Sequence, residues 1–197
     1  RFVFKVAPSG ADNMESDLIK KMHKAIAIIR FKLEGQLIKK WPEYGMQNRL
    51  LLEHIDYDNG TIEIDGKTYQ MLDTHFPTID PSDPYRLTDD EEEVIQRLRS
   101  SFIHCEKLQT HVKLLLKKGS MYKIYNGNLL FHGCIPMRKD GSFAKVNIYG
   151  REYSGKALFD ILDAYVRKAF FSGDEAEGEK GRDIMWHIWT APYIALY

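Results

Sequence analysis

Residues 129–136 read Leu-Leu-Phe-His-Gly-Cys-Ile-Pro, an apolar run that stops at His132 and Gly133. Such a run reads as a buried strand delivering an imidazole at its tip, and strand ends are where open α/β and sandwich enzymes place their ligand-binding residues. Neutral imidazole is a common ligand for Mn, Fe and Zn, and the glycine behind it leaves room for a metal or a phosphate. On spacing alone the commoner reading is a core histidine bonded to a backbone carbonyl, so the spacing leaves both open.

The remaining histidines give no second centre. His23, His104 and His111 fall on amphipathic helix patterns, while His54, His75 and His187 are isolated, and no His-x-x-x-His pair occurs. Cys105 and Cys134 follow no disulfide framework and read as free thiols of a reducing compartment. Cys134 lacks an evident His–Asn pair, which argues against a thiolate nucleophile. The acidic run at 89–93 reads as a helix start, not as a metal site.

These residues need elements to hold them. From 14 to 40, Leu18, Met22, Ala25, Ile29, Leu33 and Leu37 recur at helical steps, with Ile19, Ile26 and Ile38 widening the stripe, so a long helix buried on more than one side is expected. Lys39, Lys40 and Pro42 close it. A short helix over 47–54 and a hairpin over 61–69 turning at Asp65-Gly66 follow. Pro77, Pro81 and Pro84 make 73–84 an irregular connector. Thr88 and Glu91 form a capping box, and Val94, Leu98, Phe102, Cys105, Leu108, Val112 and Leu115 predict one helix running to about 117, ended by Gly119. A second hairpin turns at Asn126-Gly127, a strand is expected within 144–149, and a helix starts at Gly155. Residues 172–182, polar and glycine-rich, read as a surface loop, and 1–6 as a short strand.

With 44% hydrophobic residues and 24 aromatic ones (11 Tyr, 10 Phe and 3 Trp), 197 residues can bury a core. The 28 basic and 28 acidic residues balance, which argues against a nucleic-acid surface. No apolar stretch approaches the roughly 18 residues of a membrane span, so a soluble, intracellular protein is expected.

The run from Asn126 to Pro136 resembles the class III fructose-1,6-bisphosphatases of bacteria, a branch of the calcineurin-like metallophosphoesterases. So do Met22-His23-Lys24-Ala25-Ile26, Phe31-Lys32-Leu33-Glu34-Gly35-Gln36, Arg49-Leu50-Leu51-Leu52, Phe76-Pro77-Thr78-Ile79-Asp80-Pro81 and Gly119-Ser120-Met121-Tyr122, in that order. The resemblance covers about residues 14–189 and not the first dozen or 190–197. It implies an α/β (α+β) fold: a mostly helical insertion with one hairpin over 1–118, then part of a metallophosphoesterase β-sandwich over 119–197. It also implies His132 as catalytic residue and metal ligand to a Mn2+ pair, most of whose ligands lie outside this chain. The family's upstream Asp-x-His, Gly-Asp-x-x-Asp-Arg and Gly-Asn-His motifs and its further downstream histidine are expected to lie outside this chain. The implied reaction is phosphoric monoester hydrolysis at the 1-phosphate of fructose 1,6-bisphosphate, a cytoplasmic step of gluconeogenesis. Implied partners are further copies of the chain or the rest of a parent chain, without nucleic acid or membrane.

Arg49 and Lys32 lie inside these motifs and are the candidate phosphate contacts. The competing reading leaves Lys32 in solvent and pairs Arg49 with Glu53. Two other functions stay open: an inactive fragment serving as a packing or oligomerisation module, and a relative of the protein serine/threonine phosphatases, which share the His-Gly strand end.

Overall fold

The computed structural model describes residues 13–191; the strand expected at 1–6 lies outside them. The chain is mixed α and β and packs as two units, one comprising 13–40 with 47–93 and the other 41–46 with 94 onward. By packing, the division falls within a helix at 93/94, whereas the sequence places it at 118/119.

In the first unit, α1 (Asn13–Lys40) is half exposed. Leu18 and Met22 are 57% and 61% exposed, while Ile28, Ile29, Lys32, Glu34 and Ile38 are buried. The expected burial on several sides therefore holds only for the C-terminal half. The reason is what packs there: the 3-10 turns Gln47–Arg49 and Leu51–His54 contact α1, contributing buried Leu50 and Leu52. The ring of Tyr85 covers Gly35 so closely that a Cβ there would lie 2.1 Å from Cδ1 of the ring. A three-stranded antiparallel sheet, β1 (Ile55–Asp56), β2 (Thr61–Ile64) and β3 (Lys67–Gln70), turns at Asp65-Gly66, both at positive φ. The proline-rich connector carries no helix or strand, as expected. The capping box is made: Thr88 Oγ1 accepts from Glu91 N–H (3.3 Å) and Glu91 Oε2 from Thr88 N–H (2.9 Å).

The helix that this box opens is not continuous. It breaks into α2 (Asp89–Ile103) and α3 (Glu106–Lys118). At the break the Phe102 carbonyl accepts from Cys105 N–H (3.4 Å) and from the Gln109 side chain (3.0 Å), so a tightened turn and a side chain serve a carbonyl that a continuing helix would use.

In the second unit, β4 (Tyr122–Tyr125) pairs with β5 (Asn128–Phe131), and β6 (Val146–Ile148) with β7 (Arg151–Tyr153), both antiparallel. α4 (Gly155–Phe171) buries Leu158, Phe159 and Leu162. The loop expected at 172–182 is largely helix: α5 runs Glu175–Thr190, with Asp174 capping it through Glu177 N–H. Its glycines serve packing. A Cβ on Gly181 would lie 2.5 Å from Ala169 N and Tyr165 O of α4, so only glycine lets the two backbones approach this closely. Beside it, Tyr44 stacks on buried His187 with ring centroids 3.8 Å apart. The Tyr149 hydroxyl donates to the Lys180 carbonyl (2.8 Å), which leaves Tyr44, 3.2 Å away, as donor to Tyr149.

Candidate functional site

The β4–β5 hairpin turns at Asn126 (φ 49°) and Gly127 (φ 74°), and its register sets Tyr122 opposite Phe131. His132 follows Phe131 at once, and Gly133 takes a φ of 82°, a region that disfavours any side chain. Contrary to the expected buried strand, Leu129, Leu130 and Phe131 are 49%, 53% and 40% exposed. A two-stranded ribbon has too few neighbours to cover both faces, and among the described residues Phe131 packs on Phe159 of α4. His132 is exposed too, so the described residues do not enclose it in a core. It edges a depression of about 380 Å3 shared with Lys118, Ser120, Lys123 and Phe131.

α4 forms the seat of this hairpin. Phe159 lies under Tyr122 and Phe131, at centroid distances of 6.1 and 6.0 Å. The Tyr122 hydroxyl donates to Asp160 Oδ1 (3.0 Å), and Lys156 to Asp160 Oδ2 (2.6 Å). Those two hydrogen bonds, Lys156 first, hold the Asp160 carboxyl below the usual carboxylate range, and Lys156 itself is shifted upward mainly by Asp160. One turn on, Arg167 forks onto Asp163 (2.7 and 3.3 Å) and reaches the carbonyls of Leu116 and Gly119 at the end of α3. Sequence reading missed these residues; their one visible signal was the Lys156–Asp160 and Asp163–Arg167 spacing of four.

Among the described residues no group of three or more His, Cys, Asp or Glu is placed to hold a metal. His132 thus fits as a single imidazole donor and not, with its described neighbours, as a whole centre. Contrary to the expectation that no Asp-x-His lies in this chain, Asp73-Thr74-His75 is such a triplet, and its aspartate is otherwise engaged. Asp73 accepts from Lys24 (2.7 Å) and from His75 N–H (3.0 Å).

Lys32 and Arg49 sit in the first unit, and His132 in the second. Lys32 is not a solvent residue, and its hydrogen bonds are to protein groups. It is fully buried, bonds Glu91 Oε2 at 2.7 Å and donates to the Thr78 carbonyl at 2.5 Å. The physical reason is its position on the packed half of α1, facing the start of α2. Arg49 pairs with buried Glu34 at 2.5 Å, an ion pair with a residue on α1. Glu53 is taken by Lys39.

All 197 residues match the family model described as Firmicute fructose-1,6-bisphosphatase. The chain is 51% identical to the class 3 fructose-1,6-bisphosphatase of Clostridioides difficile over 197 residues, covering 100% of this chain and 30% of the relative. The Clostridium tetani relative is 47% identical over the same share of each chain. That of Listeria innocua is 48% identical over 96% of this chain and 30% of the relative. The chain thus spans about 30% of the length of these relatives. The match includes the first dozen residues and 190–197, which corrects the narrower extent expected from motifs alone. No solved structure matches the chain significantly. Matched from end to end, the chain belongs to the Firmicute fructose-1,6-bisphosphatase family.

Proposed function

We propose that the polypeptide carrying this chain hydrolyses the 1-phosphate of fructose 1,6-bisphosphate as a cytoplasmic, Mn2+-dependent metallophosphoesterase of gluconeogenesis. The full-length family match carries this reading, together with relatives named as class 3 fructose-1,6-bisphosphatases. When bound, a divalent metal pair supplies a hydroxide at neutral pH and polarises the phosphoryl oxygens. This chain contributes the His132 imidazole as one donor, presented at an exposed strand end beside a residue without a side chain. Lys118 and Lys123, on the same depression, add positive field for a phosphate. The other metal donors come from outside the described residues.

A second reading, a packing or oligomerisation module, is favoured by the exposed Leu18, Met22, Leu129 and Leu130. The full-length polypeptide, assayed with Mn2+, separates the readings. Phosphate release from fructose 1,6-bisphosphate is expected. Release from phosphoserine peptides alone would favour a protein phosphatase, and release from neither the packing module.

A further inference from the structure

We propose that Arg167 is a positioning residue for His132, acting by clamping the root of the β4–β5 hairpin to α4; the inference rests on His132 being a metal donor. Arg167 serves three acceptors from one planar fork: the Asp163 carboxylate at 2.7 and 3.3 Å, the Gly119 carbonyl at 2.8 Å, and the Leu116 carbonyl. Leu116 lies in the last turn of α3, where carbonyls lack intrahelical donors and a cation complements the helix dipole. Tyr122, where β4 begins, is three residues beyond Gly119. Arg167 therefore fixes where that strand starts.

The placement is passed on by register. Tyr122 faces Phe131 across the ladder, both rings rest on Phe159, and the Tyr122 hydroxyl is tied to Asp160. His132 is the next residue. Its position thus depends on α4 through two links, the Arg167 clamp and the Tyr122–Phe159–Asp160 seat. The Arg167 and Asp163 side chains are 36% and 27% exposed, so their pair adds little to stability by itself. What it specifies is where the hairpin lies.

The test uses the full-length polypeptide, with Mn2+ affinity read by electron paramagnetic resonance beside kcat and KM for fructose 1,6-bisphosphate. Arg167→Lys keeps the charge but not the fork. It should weaken Mn2+ binding severalfold, less than the about tenfold or more that follows loss of a group bonded directly to a metal ligand, because Arg167 acts on His132 through the hairpin. It should lower kcat with little change in KM and leave the melting temperature nearly unchanged. Tyr122→Phe, which keeps the ring on Phe159, should weaken Mn2+ binding in the same direction but less, and it carries the test should Arg167→Lys misfold. In a His132→Ala background, Arg167→Lys should cost nothing further.

Wild-type Mn2+ affinity in Arg167→Lys and Tyr122→Phe, with His132→Ala weakened, would overturn the positioning role while leaving the ligand reading intact. An undiminished Arg167→Lys loss in the His132→Ala background would also overturn it. Unchanged Mn2+ affinity in His132→Ala itself would instead sink the ligand reading and this inference with it.

Discussion

Replacing Lys32 by Met should destabilise the protein heavily at neutral pH and less in acid. Lys32 is fully buried and its partner Glu91 nearly so, with side-chain exposures of 0% and 9%. The substitution removes two charge-assisted hydrogen bonds, to Glu91 and to the Thr78 carbonyl. At about 1.5–3 kcal/mol each, their loss amounts to about 3–6 kcal/mol. That agrees with the about 3–5 kcal/mol typical of leaving one member of a buried pair behind. The sign with pH follows from Glu91. Burial pushes its carboxyl up, but the hydrogen bonds from Lys32 and from Thr88 N–H outweigh burial and leave it below its ordinary value. In the native protein this group therefore adds stability above its unfolded pKa and loses it as pH falls through the lowered value. Without Lys32, burial prevails and the pKa rises, so protonation relieves the variant as pH falls. Urea unfolding by circular dichroism at about pH 7 and pH 4 measures both. A deficit below about 1 kcal/mol, or one equal at the two pH values, would show that Lys32 does not hold Glu91 charged in the folded protein. Lys32→Met combined with Glu91→Leu should recover much of the loss.

Three further outcomes are expected. Gly181→Ala forces a Cβ to within 2.5 Å of the α4 backbone and should cost about 1–3 kcal/mol, read as a lowered melting temperature; an unchanged value would contradict the close approach. Burial pushes the His187 imidazole down to about 4, from an unfolded value near 6.5. The unfolded chain therefore binds a proton first, and stability should fall by about 3 kcal/mol as pH drops through that window; His187→Leu should flatten this slope, and an equal slope in both proteins would refute the assignment. Gly35→Ala, meeting the Tyr85 ring, should expose Tyr85, seen as faster hydrogen exchange in α1.

The hairpins at Asp65-Gly66 and Asn126-Gly127 were legible because their turn residues tolerate the positive φ that they adopt. The turn at Tyr149-Gly150 adopts the same angles, but tyrosine carries no such signal. α5 was hidden because Gly178 and Gly181 look like loop residues locally, whereas they exist for a neighbour helix. The break between α2 and α3 has no proline or glycine to announce it, only the Gln109 side chain bonding the Phe102 carbonyl. Lys32 looked like a solvated cation because its partner is 59 positions away. Of the site, the His-Gly strand end could be read directly. Its exposure could not, since burial of a strand depends on what pairs with it.

His132 is proposed as a metal donor. Anomalous diffraction at the manganese edge from crystals of the full-length polypeptide, grown with Mn2+, tests it most directly. A peak is expected within bonding distance of a His132 ring nitrogen; manganese bound elsewhere, with that ring making no metal contact, would show that His132 is not a ligand.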